Sequence, residues 1–286
     1  MHTLDQLNVM SPGGFAAALD GVFEHASWVA EAAASQRPFP TVSALHDALM
    51  AVVRTAPADI RIRFLQGHPA LSPKALADPG LTASSRTEQS DLGMSSLGEH
   101  LGKFEESSAA YEQRFGFPFI VCVRRQTPPF VLRNLERRLG HDLDQELAAA
   151  LTEIGYIARL RLVERVTGPG MPKTAGHLST HVLDTARGKP AEGVRVELFR
   201  EDVMITTSLT NHDGRTEAPL LPDGPLRVGR YELRFHVEDY FAGWPNVPSP
   251  PWYDVIPIRF GIAEPEGHYH VPLLLGAWTY TTYRGS

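Results

Sequence analysis

The hydrophobic pattern of this 286-residue chain changes period once along its length. In the first part, apolar residues recur at three- and four-residue spacing, as in Leu45, Leu49, Val52 and Val53, and again in Leu143, Leu147, Leu151 and Ile154. That spacing lays a stripe on one side of a helix. In the second part, Tyr231-Glu232-Leu233-Arg234-Phe235-His236-Val237-Glu238 alternates apolar and polar residues without a fault, the period of a half-buried strand. Thr167-Gly168-Pro169-Gly170-Met171-Pro172 lies between them, a cluster that continues neither element. The pattern predicts an all-α domain over residues 1–167, a linker over 168–175 and an all-β domain over 176–286. The length suits two domains of ordinary size, and the shorter stretch after Gly168 holds 13 of the 23 prolines.

Local signals refine this division. Ser11-Pro12 and Thr127-Pro128 read as caps followed by proline at the first helical position. The last helix is expected over about residues 142–166. Short strands are expected near 194–200, 204–209, 256–262 and 269–275, with turn residues between them, which suggests an antiparallel β-sandwich.

Composition excludes several function classes. The net charge of −6 gives no support for electrostatic binding of nucleic acid. The single cysteine, Cys122, excludes an intrachain disulfide and suits a reducing compartment. Every apolar run, including the one near residues 120–123, is far short of the roughly 18 residues of a membrane span. The opening MHTLDQLNVMSPGG has neither a basic nor an apolar signal region, and Arg-Gly-Ser at the end is not a peroxisomal tripeptide. A cytoplasmic, soluble protein is expected.

Three segments of the β part carry chemistry: Leu178-Ser179-Thr180-His181-Val182-Leu183-Asp184, Asn211-His212-Asp213-Gly214-Arg215-Thr216 and His268-Tyr269-His270-Val271-Pro272-Leu273-Leu274-Leu275. His268 and His270 share a strand face, as do Ser179, His181 and Leu183. Imidazoles gathered with Arg215 could activate water and stabilise an oxyanion. A His-x-His pair with a distant histidine can also hold zinc, but Arg215 in the cluster opposes a cation, and no metal is expected. His212 and His236 read as ordinary surface or core histidines. With the terminal Tyr283-Arg284-Gly285-Ser286, these motifs resemble the transthyretin-like family, in its 5-hydroxyisourate hydrolase branch, over residues 176–286. The resemblance implies catalytic roles for His181, Arg215 and His270, and substrate contacts for His268, Thr281 and Tyr283. It further implies attack of a histidine-activated water on a ring carbonyl, and a homotetramer. Gly276-Ala277 and Thr281 depart from the family's usual Ser-Pro and Ser.

The helical part contains Gly67-His68-Pro69, Ser84-Ser85-Arg86-Thr87-Glu88-Gln89, Phe115-Gly116-Phe117-Pro118-Phe119 and Ile157-Ala158-Arg159-Leu160-Arg161-Leu162. Together these resemble 2-oxo-4-hydroxy-4-carboxy-5-ureidoimidazoline (OHCU) decarboxylase over about residues 5–166. In that chemistry loss of carbon dioxide leaves an enolate-like centre that must be protonated on one face. His68 is the natural proton donor or electrostatic stabiliser. Glu88 can orient His68 or hydrogen-bond the ureido group, and Arg161, favoured over Arg159, can bind the substrate carboxylate. Ser85 and Gln89 would fix the ring. The resemblance implies that Pro69 and the backbone of Ile120, Val121, Cys122 and Val123 line the pocket, and no cofactor is required. Cys122 reads as a buried thiol, and Arg133, Arg137 and Arg138 as a solvated helical face. Leu71-Ser72-Pro73-Lys74 replaces the family's Leu-Ala-Gly-Lys after His-Pro.

The hydrolase product is the decarboxylase substrate, so the resemblances jointly imply a bifunctional enzyme converting 5-hydroxyisourate to (S)-allantoin. Tethering raises the local supply of a labile intermediate. The implied partners are these two small molecules and other copies of the chain, with tetramer contacts through the β domain and scope for dimer contacts through the helical one. The rival reading is a transthyretin-like small-ligand carrier with a helical docking domain. It predicts loss of the polar cluster, whereas His181, Arg215 and His270 are all present; a third reading leaves only one domain active.

Overall fold

The structure, a computed structural model, describes residues 1–72, 82–92 and 94–285. Pro73, Lys74 and Ser286 of the motifs above lie outside them. The chain divides into two compact units, Met1–Thr174 and Ala175–Ser286.

The first unit is helical: α1 Leu4–Val9, α2 Pro12–Ala18, α3 Ser27–Ala33, α4 Val42–Thr55, α5 Ala58–Gln66, α6 Ala83–Leu92, α7 Leu101–Phe115, α8 Pro128–Arg138 and α9 Leu143–Val163. Both helices with an expected cap and proline, α2 and α8, begin where the sequence places them, although only Ser11 makes a side-chain capping bond and Thr127 does not. The Ser11 hydroxyl accepts from the Gly14 N–H at the head of α2, and Pro128 opens α8. Asp142 and Gln145 form a reciprocal capping box on α9. Leu45, Leu49 and Val53 of α4 and Leu147, Leu151 and Ile154 of α9 enter one core, while Leu143, on the first turn of α9, stays exposed. Helix α9 ends three residues before the expected position because Val166 and Thr167 (β2) pair in parallel with His2 and Thr3 (β1).

Part of the expected linker belongs to this unit. The Val42 and Ser43 N–H groups, left without partners inside α4, donate to the carbonyls of Pro169 (2.9 Å) and Gly170 (3.0 Å). Gly170 has φ +59°, and a Cβ there would lie 2.6 Å from Thr41 Cβ. Glycine is therefore needed for both the backbone angle and the close approach.

Arg138 overturns the expectation of a solvated face. It is 1 % exposed, and its guanidinium meets the fully buried Glu146, the Tyr111 hydroxyl and the Ile120 carbonyl. The eight-residue separation from Glu146 hides the pair from a local charge pattern, because the chain turns between α8 and α9.

The second unit is a sandwich of two four-stranded sheets. Its strands are β3 His177–Asp184, β4 Lys189–Pro190, β5 Arg195–Arg200, β6 Val203–Leu209, β7 Gly229–His236, β8 Val255–Ile262, β9 His268–Leu275 and β10 Tyr280–Thr282. The sheet orders are β10-β9-β3-β4 and β6-β5-β7-β8, and Val182, Leu273 and Leu275 of one share a core with Val196, Leu233 and Phe235 of the other. The alternating pattern predicted through Glu238 ends at His236, because Val237 turns to a helical conformation and opens the short helix α10 (Glu238–Phe241). The sandwich is not wholly antiparallel: β3 and β9 run parallel. They are joined through the opposite sheet and not by a hairpin, so no tight turn sets their direction.

Replacing Gly170 with alanine is expected to lower the stability of the helical unit by about 1–3 kcal/mol. Urea denaturation followed by circular dichroism measures it, and an unchanged midpoint would mean that the segment is not seated against Thr41.

Candidate active sites

In the helical unit, α5 ends at Gln66 and the chain turns through Gly67, which places His68 over the last helical turn. His68 Nδ1 lies 3.1 Å from the Phe64 carbonyl, and the Phe64 ring packs edge-on against the imidazole. A carbonyl can only accept, so Nδ1 carries the proton and Nε2 of the neutral ring keeps its lone pair. Burial pulls the His68 pKa down to about 4, with nearby Arg161 and His25 acting in the same direction against Glu24 and the Phe64 carbonyl. His68 is therefore oriented by Phe64 and not by Glu88, and it is neutral at neutral pH.

His68 lines a cavity with Pro69, Ser85, Glu88, Gln89, Ile120, Val121, Val123 and Arg161. Sequence reasoning assigned all of these to the site, and Arg161, not Arg159, is the arginine that faces it. Leu71, Phe119 and Ile157 complete the apolar wall.

Arg161 is 3 % exposed and every N–H is directed at an acceptor. Nε and Nη2 reach the two oxygens of Glu88 at 3.0 and 2.8 Å. Nη1 reaches Glu24 Oε2 at 3.0 Å and the Gly21 carbonyl at 3.4 Å, and Nη2 also meets Ser85 Oγ at 2.9 Å. Burial opposes ionisation of Glu24, but hydrogen bonds from Thr82 and Ser85 and the Arg161 charge hold its carboxyl below the usual range. Glu24 was missed from sequence: it lies in an irregular segment before α3, with no periodic or motif signal.

The extended stretch before the 3₁₀ turn Val123–Arg125 forms one wall of the cavity. Cys122 does not line it. Its N–H donates to Glu153 Oε2 at 2.8 Å, and its thiol is buried, with a pKa pushed up by burial and by Glu153 and Glu88.

In the β unit, parallel pairing sets Ser179 opposite His270 and His177 opposite His268. The inner residues Thr180, Val182, Tyr269 and Val271 are buried, while Ser179, His181, His268 and His270 lie on the outer face. Ser179 Oγ is 3.0 Å from His270 Nδ1 and 3.3 Å from His268 Nε2. Isolated antiparallel backbone β-bridges pair Arg215 with His181 and Gly285 with His270. A Cβ at Gly214 would lie 2.3 Å from the Val182 carbonyl, and one at Gly285 2.6 Å from His270 Cδ2, so glycine permits both approaches. Burial lowers the His270 pKa, and Arg215, His181 and His268 lower it further. Thr281 pairs with Leu274 on that outer face, and Tyr283 follows it, exposed. Ser179, not assigned to the site from sequence, supplies the hydrogen bond that joins the two histidines.

His236 sits in the other sheet between Glu197 (3.0 Å) and Arg195 (2.8 Å), and His212 is exposed, as expected of residues outside the site. No group of three or more His, Cys, Asp or Glu side chains among the described residues is arranged to hold a metal ion. No helix among them is long and apolar enough to cross a membrane.

Comparison with known proteins assigns each unit. Residues 8–163 match the OHCU decarboxylase family, and residues 178–285 the HIUase/transthyretin family. The 5-hydroxyisourate hydrolase of Deinococcus radiodurans is 54% identical over 118 residues, covering 39% of this chain and 99% of its own length. The 2-oxo-4-hydroxy-4-carboxy-5-ureidoimidazoline decarboxylase of Haloferax volcanii is 35% identical over 168 residues, covering 58% of this chain and 98% of its own. The crystal structure of an (S)-allantoin synthase is 34% identical, with a TM-score of 0.54 and full coverage of both chains.

The His68 environment makes stability depend on pH. An unfolded chain binds a proton at this histidine below about pH 6.5, whereas the folded unit binds it only below about 4. Across that window the unfolded state holds the extra proton, so stability falls as pH falls, by about 3 kcal/mol from this group alone. His68→Asn should remove that share of the acid sensitivity. Denaturant titrations at pH 7 and pH 4.5 compare the two, and parallel losses would refute a buried neutral His68.

Proposed function

Because the chain belongs to the OHCU decarboxylase family over residues 8–163 and to the HIUase/transthyretin family over residues 178–285, we propose that it converts 5-hydroxyisourate to (S)-allantoin in two consecutive steps. The β unit hydrolyses 5-hydroxyisourate to OHCU, and the helical unit decarboxylates OHCU. The fused architecture is that of the allantoin synthase to which the chain is similar along its whole length.

For hydrolysis, Ser179 accepts from His270 Nδ1–H and donates to His268 Nε2, leaving His270 Nε2 as the base. Its lowered pKa keeps it unprotonated at neutral pH. His270 takes a proton from water as the oxygen bonds to the ring carbonyl carbon; the C–N bond then breaks and the proton passes to the departing nitrogen. Arg215 holds the developing oxyanion, His181 fixes the substrate beside it, and Thr281 and Tyr283 contact the ring.

The decarboxylation reading rests on one observation above all, the neutral His68 with Nε2 unengaged by the Phe64 bond. When the OHCU carboxylate leaves as carbon dioxide, the electron pair of the broken C–C bond forms a C=C bond to the adjacent ring carbon and pushes that carbon's C=N pair onto nitrogen, which takes a proton from water, leaving an enol. The 4-hydroxyl must then lose a proton and the adjacent carbon must gain one. A neutral imidazole can do both in turn, taking the hydroxyl proton and returning it to carbon on its own face, which sets the handedness. This role begins as a base, where the sequence suggested a donor. Arg161 takes the substrate carboxylate by exchange with Glu88, the more exposed of its two carboxylate partners at 14 % against 1 %. Glu88 is then released to the ureido N–H groups, while Ser85 and Gln89 hold the ring.

The assembly consistent with the family is a homo-oligomer acting on small molecules, with a tetramer through the β unit as the expected form. The exposed Tyr280, on β10, and Trp278, just before it, supply apolar surface for such contacts. A cytoplasmic location fits an enzyme with one free, buried cysteine.

Freshly generated 5-hydroxyisourate, followed by ultraviolet absorbance and circular dichroism, tests both steps. The wild-type chain should give rapid loss of substrate, transient OHCU and optically active allantoin. His270→Ala should lower the first rate by about 100-fold or more, the usual contribution of a general base. His68→Ala should leave the first rate intact and let OHCU accumulate. Traces indistinguishable from buffer for the wild type would overturn the enzyme reading in favour of a carrier.

A further inference from the structure

The wall of the decarboxylase cavity is held from behind by two ionisable side chains that do not line it. Arg138 Nη1 donates to the Ile120 carbonyl at 2.7 Å, and Glu153 Oε2 accepts from the Cys122 N–H at 2.8 Å. Both belong to helices, α8 and α9, and Arg138 is further fixed by Glu146 and stacks on the Phe119 ring, 4.7 Å from its centroid.

These two bonds determine the orientation of the residue between them. In a trans peptide the C=O and N–H point in opposite directions. With the Ile120 carbonyl turned to Arg138, the Val121 N–H points the other way. With the Cys122 N–H turned to Glu153, the Val121 carbonyl also points the other way. Val121 therefore presents one donor and one acceptor side by side, on the side away from Arg138 and Glu153, and it lines the cavity. The residue is 7 % exposed, and among the described residues neither backbone group has a partner within the protein. Buried peptide groups are rarely left so unless a ligand or water meets them.

We infer that Arg138 and Glu153 are positioning residues for decarboxylation, acting through the 120–122 backbone to hold the Val121 N–H and C=O as a paired edge for the –NH–CO– edge of a cyclic ureide. The two groups match such an edge as one strand residue matches another across an antiparallel pair. The inference rests on the decarboxylase reading above and assigns the substrate's ring amide, not its carboxylate, to this wall. It also gives a reason for a buried cation 18 residues from the carbonyl that it holds.

Replacements at Glu153 in the full-length chain test this. Glu153→Met removes the acceptor behind Cys122 and should raise KM for OHCU about tenfold, the worth of roughly one hydrogen bond, with kcat within about twofold. Glu153→Gln keeps an oxygen that can accept from Cys122 and should restore KM to within about twofold of wild type. Arg138→Lys keeps the charge beside Glu146 but cannot span both Glu146 and Ile120, and it should also raise KM. Circular dichroism and the kcat for OHCU of the same molecules report that the helical unit is folded, since 5-hydroxyisourate hydrolysis reports only on the β unit. Unchanged KM in Glu153→Met and Arg138→Lys, or equal defects in Glu153→Met and Glu153→Gln, overturns the inference. A wild-type chain that hydrolyses 5-hydroxyisourate but leaves OHCU to decay at the buffer rate overturns the decarboxylase reading itself.

Discussion

Arg161 can be buried only because five hydrogen-bond acceptors converge on it, and the geometry of the decarboxylase cavity follows from that convergence. A guanidinium taken out of water without such partners would cost several kcal/mol. Glu88 and Ser85 come from α6, Arg161 from α9, and Gly21 and Glu24 from the segment before α3, so the ion cluster ties three remote parts of the chain to one point. Two carboxylates against one guanidinium leave a negative remainder beside His68, whose proton affinity would rise if that remainder dominated. Instead its pKa is low, because burial outweighs the Glu24 charge and Arg161 itself lies close by. Desolvation is the larger effect here, and it leaves the histidine a base.

In the β unit the corresponding constraint is the parallel register of β3 and β9. A shift of one residue would turn His268 and His270 into the core and bring Tyr269 and Val271 to the outer face. The buried set Thr180, Val182, Tyr269, Val271 and Leu273 fixes the register by apolar burial, and the histidines take the opposite face as a consequence. Thr180 Oγ1 adds a bond of 2.7 Å to the Val271 carbonyl, so the same pairing is pinned from inside. Chemistry on the outer face is thus positioned by packing on the inner one.

What could be read from the sequence and what could not divide along the range of the interactions. Helix stripes such as Leu147, Leu151 and Ile154, the proline-capped starts and the alternating strand at residues 231–236 depend on neighbours within a few positions, and each was legible. The motif residues around the helical cavity were legible as a set, apart from Cys122, whose direction depends on a single peptide orientation. Long-range partners were not legible. Glu24 and Arg161 are 137 residues apart, and nothing local to Glu24 marks it as buried. Arg138 resembles its neighbours Arg133 and Arg137 in sequence, yet it alone turns inward to a glutamate that the next helix brings to it. Parallel pairing of β3 with β9 is equally non-local, since no hairpin joins them.

The charge pattern bears on why both sites begin with an unprotonated histidine. Sixteen basic against nineteen acidic residues before Pro169, and eleven against fourteen after it, leave −3 on each side. Neither half attracts anions by its overall charge, so capture of an anionic substrate must rest on individual arginines. Placing a guanidinium in a site also lowers the proton affinity of any imidazole beside it. Arg161 acts in that direction on His68, and Arg215 on His270, in each case adding to burial. The arginine proposed to hold the anion therefore also helps keep its neighbour in the basic form, and the same pairing of arginine with histidine recurs in two unrelated folds.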